Sequence, residues 1–264
     1  VAFLKSSALG GIVLALAGIA VGLYLDGGKL GQLLQPTAAL IVFGGTLGAV
    51  LVQFPLPIVA QAIAQLKPIF LDRPDEAIQL INTLSRYASQ ARRKGALSLD
   101  PELQNISDPF LQRCMTLVVD GTHSQTLRTL ANTATQTELA RDLTLARVFD
   151  AAGGFAPTIG ILGAIIGLIQ VMQHMENISE VGRGIAVAFV ATIYGVGAAN
   201  LFFLPCAGRI RVLSARRHAL REMIVAGVVG IAEGLSAGAI EQRLSAHVHS
   251  DKAMTDRRAS RVVR

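Results

Sequence analysis

Charge is scarce in this chain. Asp, Glu, Lys and Arg make up 16% of the 264 residues, against about a quarter in ordinary globular domains. Four stretches, 6–25, 33–54, 151–173 and 184–208, contain none of them. The 24 basic and 18 acidic side chains therefore crowd into the remainder, at an ordinary soluble density. This segregation excludes a wholly soluble enzyme and a disordered chain. Cysteine is nearly absent too: Cys114 and Cys206 alone exclude a disulfide-built secreted scaffold. No GxxxxGK[ST] phosphate loop, HExxH, GxSxG or paired-cysteine motif occurs, so neither nucleotide hydrolysis nor metal or acyl chemistry has a foundation here. His123, His174 and His218 are scattered singly, and His247 and His249 sit in a polar tail with no further ligand near them. No cofactor and no metal are implied, and the chain reads as a non-enzyme.

What is present is four apolar segments of membrane length. About 20 apolar residues cross the hydrocarbon of a bilayer as a helix, and a helix satisfies its own backbone there. The first segment resembles a signal peptide in following Lys5, but it is too long for an h-region and a second span follows closely, so it reads as a retained anchor. The fold class expected is an all-α integral membrane protein: four transmembrane helices with a helical cytoplasmic domain. Its parts are 1–54 (spans one and two), 55–150 (cytoplasmic helices), 151–208 (spans three and four) and 209–264 (cytoplasmic tail).

Orientation follows from Lys and Arg in the connections. The 55–150 segment is rich in them, as is the stretch after span four, with Arg209, Arg211, Arg216, Arg217 and Arg221. The two other connections hold only Lys29 and Arg183. Both termini and the middle segment are thus expected in the cytoplasm. The net charge of +6 follows from that topology; no basic strand interleaved with aromatics points to nucleic acid.

The cytoplasmic part reads as helices. Pro74-Asp75 opens one that ends at Lys94, with Gly95 suited to the left-handed position beyond it. Ser107-Asp108-Pro109 starts a second, which stops near Asp120-Gly121. Ser124 is the expected cap of a third, running through Leu145 as a stalk toward span three. Met223 to Ala232 is apolar but too short to cross a membrane, and is expected to pack on the other cytoplasmic helices.

Small residues line the spans: Gly44, Gly45 and Gly48 in span two, Gly160, Gly163, Ala164 and Gly167 in span three, Gly195, Gly197, Ala198 and Ala199 in span four. They allow close backbone approach in lipid, either inside one bundle or between chains. Pro157 and Pro205 interrupt spans three and four at matching depth, as tolerated kinks or as a hinge eased by Gly153-Gly154. Thr158, Thr192, Tyr194 and Asn200 are among the few polar side chains there; the threonines either bond back to their own helix or line a narrow wet path. Apart from the phenols of Tyr24 and Tyr194 and the thiol of Cys206, the spans hold no ionisable group. Ion relays across lipid rely on an intramembrane carboxylate or a similar group. If this chain conducts ions, a partner must supply it. No nucleotide site supplies energy, which leaves the membrane potential, worth roughly 2.3 kcal/mol per charge per 100 mV.

The run Pro157-Thr158-Ile159-Gly160-Ile161-Leu162-Gly163-Ala164-Ile165-Ile166-Gly167-Leu168 resembles the span-three signature of the MotA family of flagellar stator proteins. Residues 184–197, GIAVAFVATIYGVG, continuing through Asn200 to Pro205, resemble its span-four signature. Gly44-Gly45-Thr46, Ala91-Arg92-Arg93-Lys94-Gly95 and Glu233-Gly234 match as well. The TolQ and ExbB proteins share the superfamily, but four spans with a long second loop suit MotA better.

The resemblance implies a torque generator of the bacterial inner membrane. It implies a ring of five such chains around a MotB-like single-span partner that carries the ion-binding aspartate, with the rotor protein FliG as the element pushed. By the same resemblance Pro157 and Pro205 match the prolines of conformational coupling. Thr192 and Thr158 belong to the ion pathway. Ala191 stands where sodium-driven relatives commonly carry a second threonine, which favours protons. Arg92 and Asp100 match the rotor-contact pair by their spacing, with Arg93 an equally placed alternative. Read without the resemblance, Arg92, Arg93 and Lys94 are cations in a helix's last turn, favourable to its dipole by about 0.3–1 kcal/mol.

Overall fold

The structure is a computed structural model that describes residues 7–28, 30–66, 77–173, 175–176 and 178–246. Among these residues every regular element is helical. The chain divides into two compact units: 1–72 with 142–213, and 73–141 with 214–264.

In the first unit, α1 spans Ser7–Leu25. A short 3-10 turn, Leu30–Leu33, leads into α2, Pro36–Gln53. Pro36 occupies the first helical position, where its missing N–H costs nothing. α2 contains a π-helical turn at Leu40–Gly44. Phe54 breaks to extended backbone before Pro55, and α3, Leu56–Ala64, follows. Three helical stretches among the described residues are long and apolar enough to cross a membrane: Pro36–Gln53, Ser124–Gln173 and Val181–Ala232. The apolar part of α1, Gly10–Leu25, is shorter.

The second unit begins, among described residues, with α4, Ala77–Lys94. The expected start at Pro74-Asp75 lies outside the described residues; the expected end is where it should be, with Gly95 at φ +84°. A 3-10 turn (Ala96–Leu99) and the short α5 (Asp100–Leu103) follow. α6, Pro109–Val119, is capped as its sequence demands: the Asp108 carboxylate accepts the N–H groups of Phe110 and Leu111 at 2.7 and 2.9 Å. Gly121, at φ +73°, ends that run.

α7 runs unbroken from Ser124 to Gln173 with Pro157 inside it, so the helix expected from 124 onward does continue into the third apolar segment. Its cap differs from the expectation. Leu127 N–H bonds the His123 carbonyl at 3.0 Å, and the His123 Nδ1 accepts Gln125 N–H at 3.4 Å. The cap is therefore His123, and Ser124 is the first helical residue: an imidazole nitrogen can accept where a hydroxyl was anticipated. α8 (Ile178–Ala198) and α9 (Leu204–Ala232) are joined by a second π-helical turn, Ala199–Phe203. Residues 237–246 form α10. The basic tail with His247 and His249 lies outside the described residues.

The second unit has a core of large apolar side chains. Leu84, Leu99, Leu127, Val228, Val229, Ile240 and Leu244 are fully buried there, with Tyr87, Phe110 and Met115 beside them. The 223–232 stretch packs into this core as expected, through Met223, Ile224, Val225, Val228, Val229 and Ile231. Gly227 makes room for Leu84: a Cβ there would lie 2.7 Å from Leu84 Cδ1. Cys114 is a buried free thiol in the same core. Burial, with Asp108 adding in the same direction, pushes its pKa up to about 11. The rim is ionic. Glu138 forms an ion pair with Arg217 at 3.8 Å and a closer one with Arg221, whose guanidinium lies 4.6 Å from the centre of the Phe110 ring. Glu233 lies between Arg128 and Arg243, 3.8 Å from each. These pairs are partly exposed, so each contributes about 1 kcal/mol or less.

Candidate functional site

The charge-free segments of α7 and α8 lie against each other antiparallel, and glycine sets their separation. A Cβ on Gly160 would lie 2.9 Å from the Ala191 carbonyl oxygen and 3.4 Å from Thr192 Cα. On Gly163 it would meet Ala191 Cβ at 2.8 Å, and on Gly167 the Ala188 N and Gly184 O at 3.0 Å. On Gly184 it would meet Val171 Cγ2 at 2.6 Å. Gly195 presses on the Ala156 carbonyl, and its Cβ would lie 3.1 Å from Gly160 Cα. Backbone thus meets backbone over the whole pair, which is how helices gain dispersion contacts when lipid offers no hydrophobic drive. The small-residue stripe of span three therefore serves packing within this chain. Gly44, Gly48 and Gly197 differ, since nothing lies within 4 Å of where their Cβ would be.

Ala191 is fully buried in a cluster with Ala38, Val42, Val187 and Val190, partly closed by Leu33 and Tyr194. Thr192 is half-buried, and its hydroxyl donates to the Ala188 carbonyl at 3.3 Å. Thr158 is exposed, and its hydroxyl donates to the Phe155 carbonyl at 2.8 Å. Asn200, also exposed, donates to the Val196 carbonyl at 2.9 Å. Each of these groups is satisfied by its own helix, leaving its remaining lone pairs for another ligand. The structure brings Ala191 and Thr192 together against Gly160 and Gly163, while Thr158 faces outward.

The prolines are not at one level. Pro157 follows Ala156, whose carbonyl abuts Gly195. Pro205 follows Leu204, whose side chain lies against Gly153: a Cβ there would be 2.6 Å from Leu204 Cδ2. Pro157 is therefore level with Gly195, well short of Pro205 along the facing helix. The expectation of matching depth fails because helix pairing depends on register, which distance from a span's end does not reveal. The π-helical turn before Pro205 carries no sequence signal of its own. In it the Leu204 N–H reaches back to the Ala199 carbonyl, and the widened turn relieves the clash that a proline ring makes with the carbonyl four residues earlier. Gly153 serves close approach as well as any bending.

Tyr194 has a role that sequence inspection missed. Its hydroxyl donates to the Leu33 carbonyl at 2.5 Å and accepts the Gln35 N–H at 3.2 Å, and its ring lies 6.0 Å from that of Phe43. It satisfies backbone groups at the break before Pro36. The signal available was a lone phenol in an apolar span, which requires a partner.

Arg92, Arg93 and Asp100 belong to the other unit. The two arginines are exposed in the last turn of α4, and Asp100 is exposed in the first turn of α5. The loop between them is pinned: Gln90 Nε2 donates to the Ser98 carbonyl at 2.9 Å, and the Ser98 hydroxyl to the Gly95 carbonyl at 2.7 Å. Asp100 and the two arginines form no ion pair with one another among the described residues, whereas nearby Arg86 and Glu102 are 3.9 Å apart. They are presented to solvent from a fixed loop, an arrangement suited to a charged partner.

Among the described residues there is no group of three His, Cys, Asp or Glu able to hold a metal. A helix pair closed by glycine, with hydroxyls but no carboxylate in its apolar part, defines a class: a membrane subunit of close-packed apolar helices that hold no titrating carboxylate. Comparisons with known proteins agree. Residues 102–223 match the model of the MotA/TolQ/ExbB proton channel family, and residues 9–95 that of the motility protein A N-terminal region. Motility protein A of Bacillus subtilis (strain 168) is 34% identical over 242 residues, 91% of this chain and 90% of that protein. Chemotaxis protein PomA of Vibrio alginolyticus is 29% identical over 86% of this chain and 88% of its own length. The flagellar MotAB stator complex of Bacillus subtilis superposes with a TM-score of 0.84 at 33% identity, covering 91% of this chain and 95% of that one. C. jejuni MotAB gives 0.86 at 27% identity, with 91% and 94% covered. The chain belongs to the motility protein A family, and the flagellar stator reading stands over that of a TolQ- or ExbB-type envelope energiser.

Proposed function

We propose that this chain is the ring-forming subunit of a proton-driven flagellar stator. A MotB-like single-span partner supplies the ion-binding aspartate, and the assembled ring, with five copies of this chain, pushes the rotor protein FliG. The observation that carries the reading is the tightly closed α7–α8 pair, whose apolar part offers Thr192 and Thr158 hydroxyls but no carboxylate. Such a pair can line one side of a path and cannot by itself relay protons. Ala191 in place of a second hydroxyl supports protons over sodium. Pro157 and Pro205 couple ion passage to movement of the helices that continue into the cytoplasm. Arg92 and Asp100, with Arg93 beside them, make the rotor contact.

The subunit sits in the bacterial inner membrane with both termini cytoplasmic, by the distribution of Lys and Arg. α1 serves as the remaining span: 19 residues rise about 28 Å, close to the hydrocarbon thickness of about 30 Å. The chain is not an enzyme; its work is mechanical.

The test is charge reversal at the rotor contact. Arg92→Asp with Asp100→Arg should abolish swimming with an unaltered rotor while proton uptake by the partner-bound complex persists. Normal swimming by that double variant would refute the contact. Swimming should collapse with a protonophore and persist without sodium; the opposite pattern would overturn the ion assignment.

A further inference from the structure

We propose that the inner ends of the long helices form a binding site for an anionic phospholipid, with Arg147 and Arg211 on its phosphate and α3 against its acyl chains. The inference rests on the reading above that this end faces the cytoplasm.

The argument begins with α3, Leu56–Ala64, which carries no charge. Val59 and Ala62 are buried in a core with Ala146, Val148, Phe149 and Ile210. Its outer side is mostly apolar as well, with Leu56 67% exposed and Ile63 56% beside the single polar side chain Gln61. Leucine and isoleucine turned outward, on a helix whose inner face is already packed, are apolar surface that acyl chains can cover.

Two arginines adjoin residues of that same core. Arg147 lies between Ala146 and Val148, both in that core, and is itself exposed. Asp150, one turn further on the same helix, pairs with Arg211, whose side chain is 47% exposed and which follows the buried Ile210. Two cations and one carboxylate leave an excess of positive charge where the charge-free run beginning at residue 151 starts. An anionic headgroup answers that excess. A zwitterionic one brings its own ammonium and gains less.

The experiment uses the complete complex with its single-span partner, reconstituted in nanodiscs of phosphatidylcholine and phosphatidylglycerol, then released in mild detergent for native mass spectrometry of retained lipid. The wild-type complex should retain phosphatidylglycerol above its share of the bilayer. Arg147→Gln, which leaves the Arg211–Asp150 pair intact, should cut that enrichment roughly five-fold, and R147Q/R211Q by about five-fold again. R147K/R211K should keep most of it, and Arg113→Gln, in the other unit, all of it. Unchanged enrichment in R147Q/R211Q would overturn the proposal. So would its loss from wild-type complex on adding inorganic phosphate alone, which would mark a free-phosphate site. Loss only when copies dissociate would overturn it in favour of a second copy on this face. Swimming is scored separately: a complex that retains the lipid yet turns no rotor contradicts the motor reading and leaves the site standing.

Discussion

The two units of this chain solve opposite packing problems. In the unit of 73–141 and 214–264, large side chains such as Leu84, Met115, Leu127 and Ile240 fill the interior. Its rim is held by shared carboxylates, Glu138 and Glu233. In the unit of 1–72 and 142–213, size is a liability. Glycine at 160, 163, 167, 184 and 195 brings backbones together, while Ile161, Leu162, Ile165, Ile166, Leu168 and Ile169 stay outside. Apolar surface drives the first kind of core and has no drive in the second, where dispersion and hydrogen bonds remain. One chain thus applies two rules for where a large residue belongs.

Substitutions that exchange the rules should show it. The largest effect is expected from Gly195→Leu, which forces a side chain onto the Ala156 carbonyl. Overpacking costs about 1–3 kcal/mol even where neighbours can yield, and backbone cannot. Assembled complex and swimming should both be lost, as read by gel filtration and motility agar. Gly197→Ala, with open space around it, should leave the chain's own folding intact; if assembly nevertheless fails, Gly197 touches another chain. Next comes Leu84→Ala, which should destabilise the unit of 73–141 and 214–264 by about 2–5 kcal/mol, measured by thermal unfolding of the purified complex. Asp108→Ala removes the cap of α6 and should cost about 1 kcal/mol in the same assay.

A smaller effect concerns pH. The Cys114 pKa is raised on folding from an ordinary thiol value of 9.0 to about 11. A raised folded-state pKa gives stability that is complete below the unfolded value and lost as pH climbs through the folded one. The unit that holds Cys114 should therefore weaken between pH 9 and 11, and Cys114→Ser should weaken less over that interval. Equal pH dependence in both proteins would refute the attribution.

Much of this was legible in the sequence, for particular reasons. The caps at Asp108 and Gly95 are local, set by residues within one turn. The apolar segments and the packing of 223–232 follow from composition and length. What escaped depends on partners distant in sequence. The Tyr194 hydroxyl finds Leu33 and Gln35 more than a hundred and fifty residues away. The levels of Pro157 and Pro205 depend on helix register, and which glycines face inward depends on which helix lies opposite. The cap at His123 escaped for a humbler reason: an imidazole is a rarer cap than the serine beside it. The candidate site was legible as residue types, Thr192, Thr158, Arg92 and Asp100, while the burial of Ala191 among Ala38, Val42 and Val190 needed the fold.

The central claim is that this chain shapes a proton path and borrows the titrating group. The most direct measurement is proton flux in liposomes under an applied voltage, with the purified chain alone and then with its single-span partner freed of any plug. The account predicts no flux above background for the chain alone, and flux with the partner that disappears when the partner's intramembrane aspartate becomes asparagine. Voltage-driven proton flux through the chain alone would contradict it.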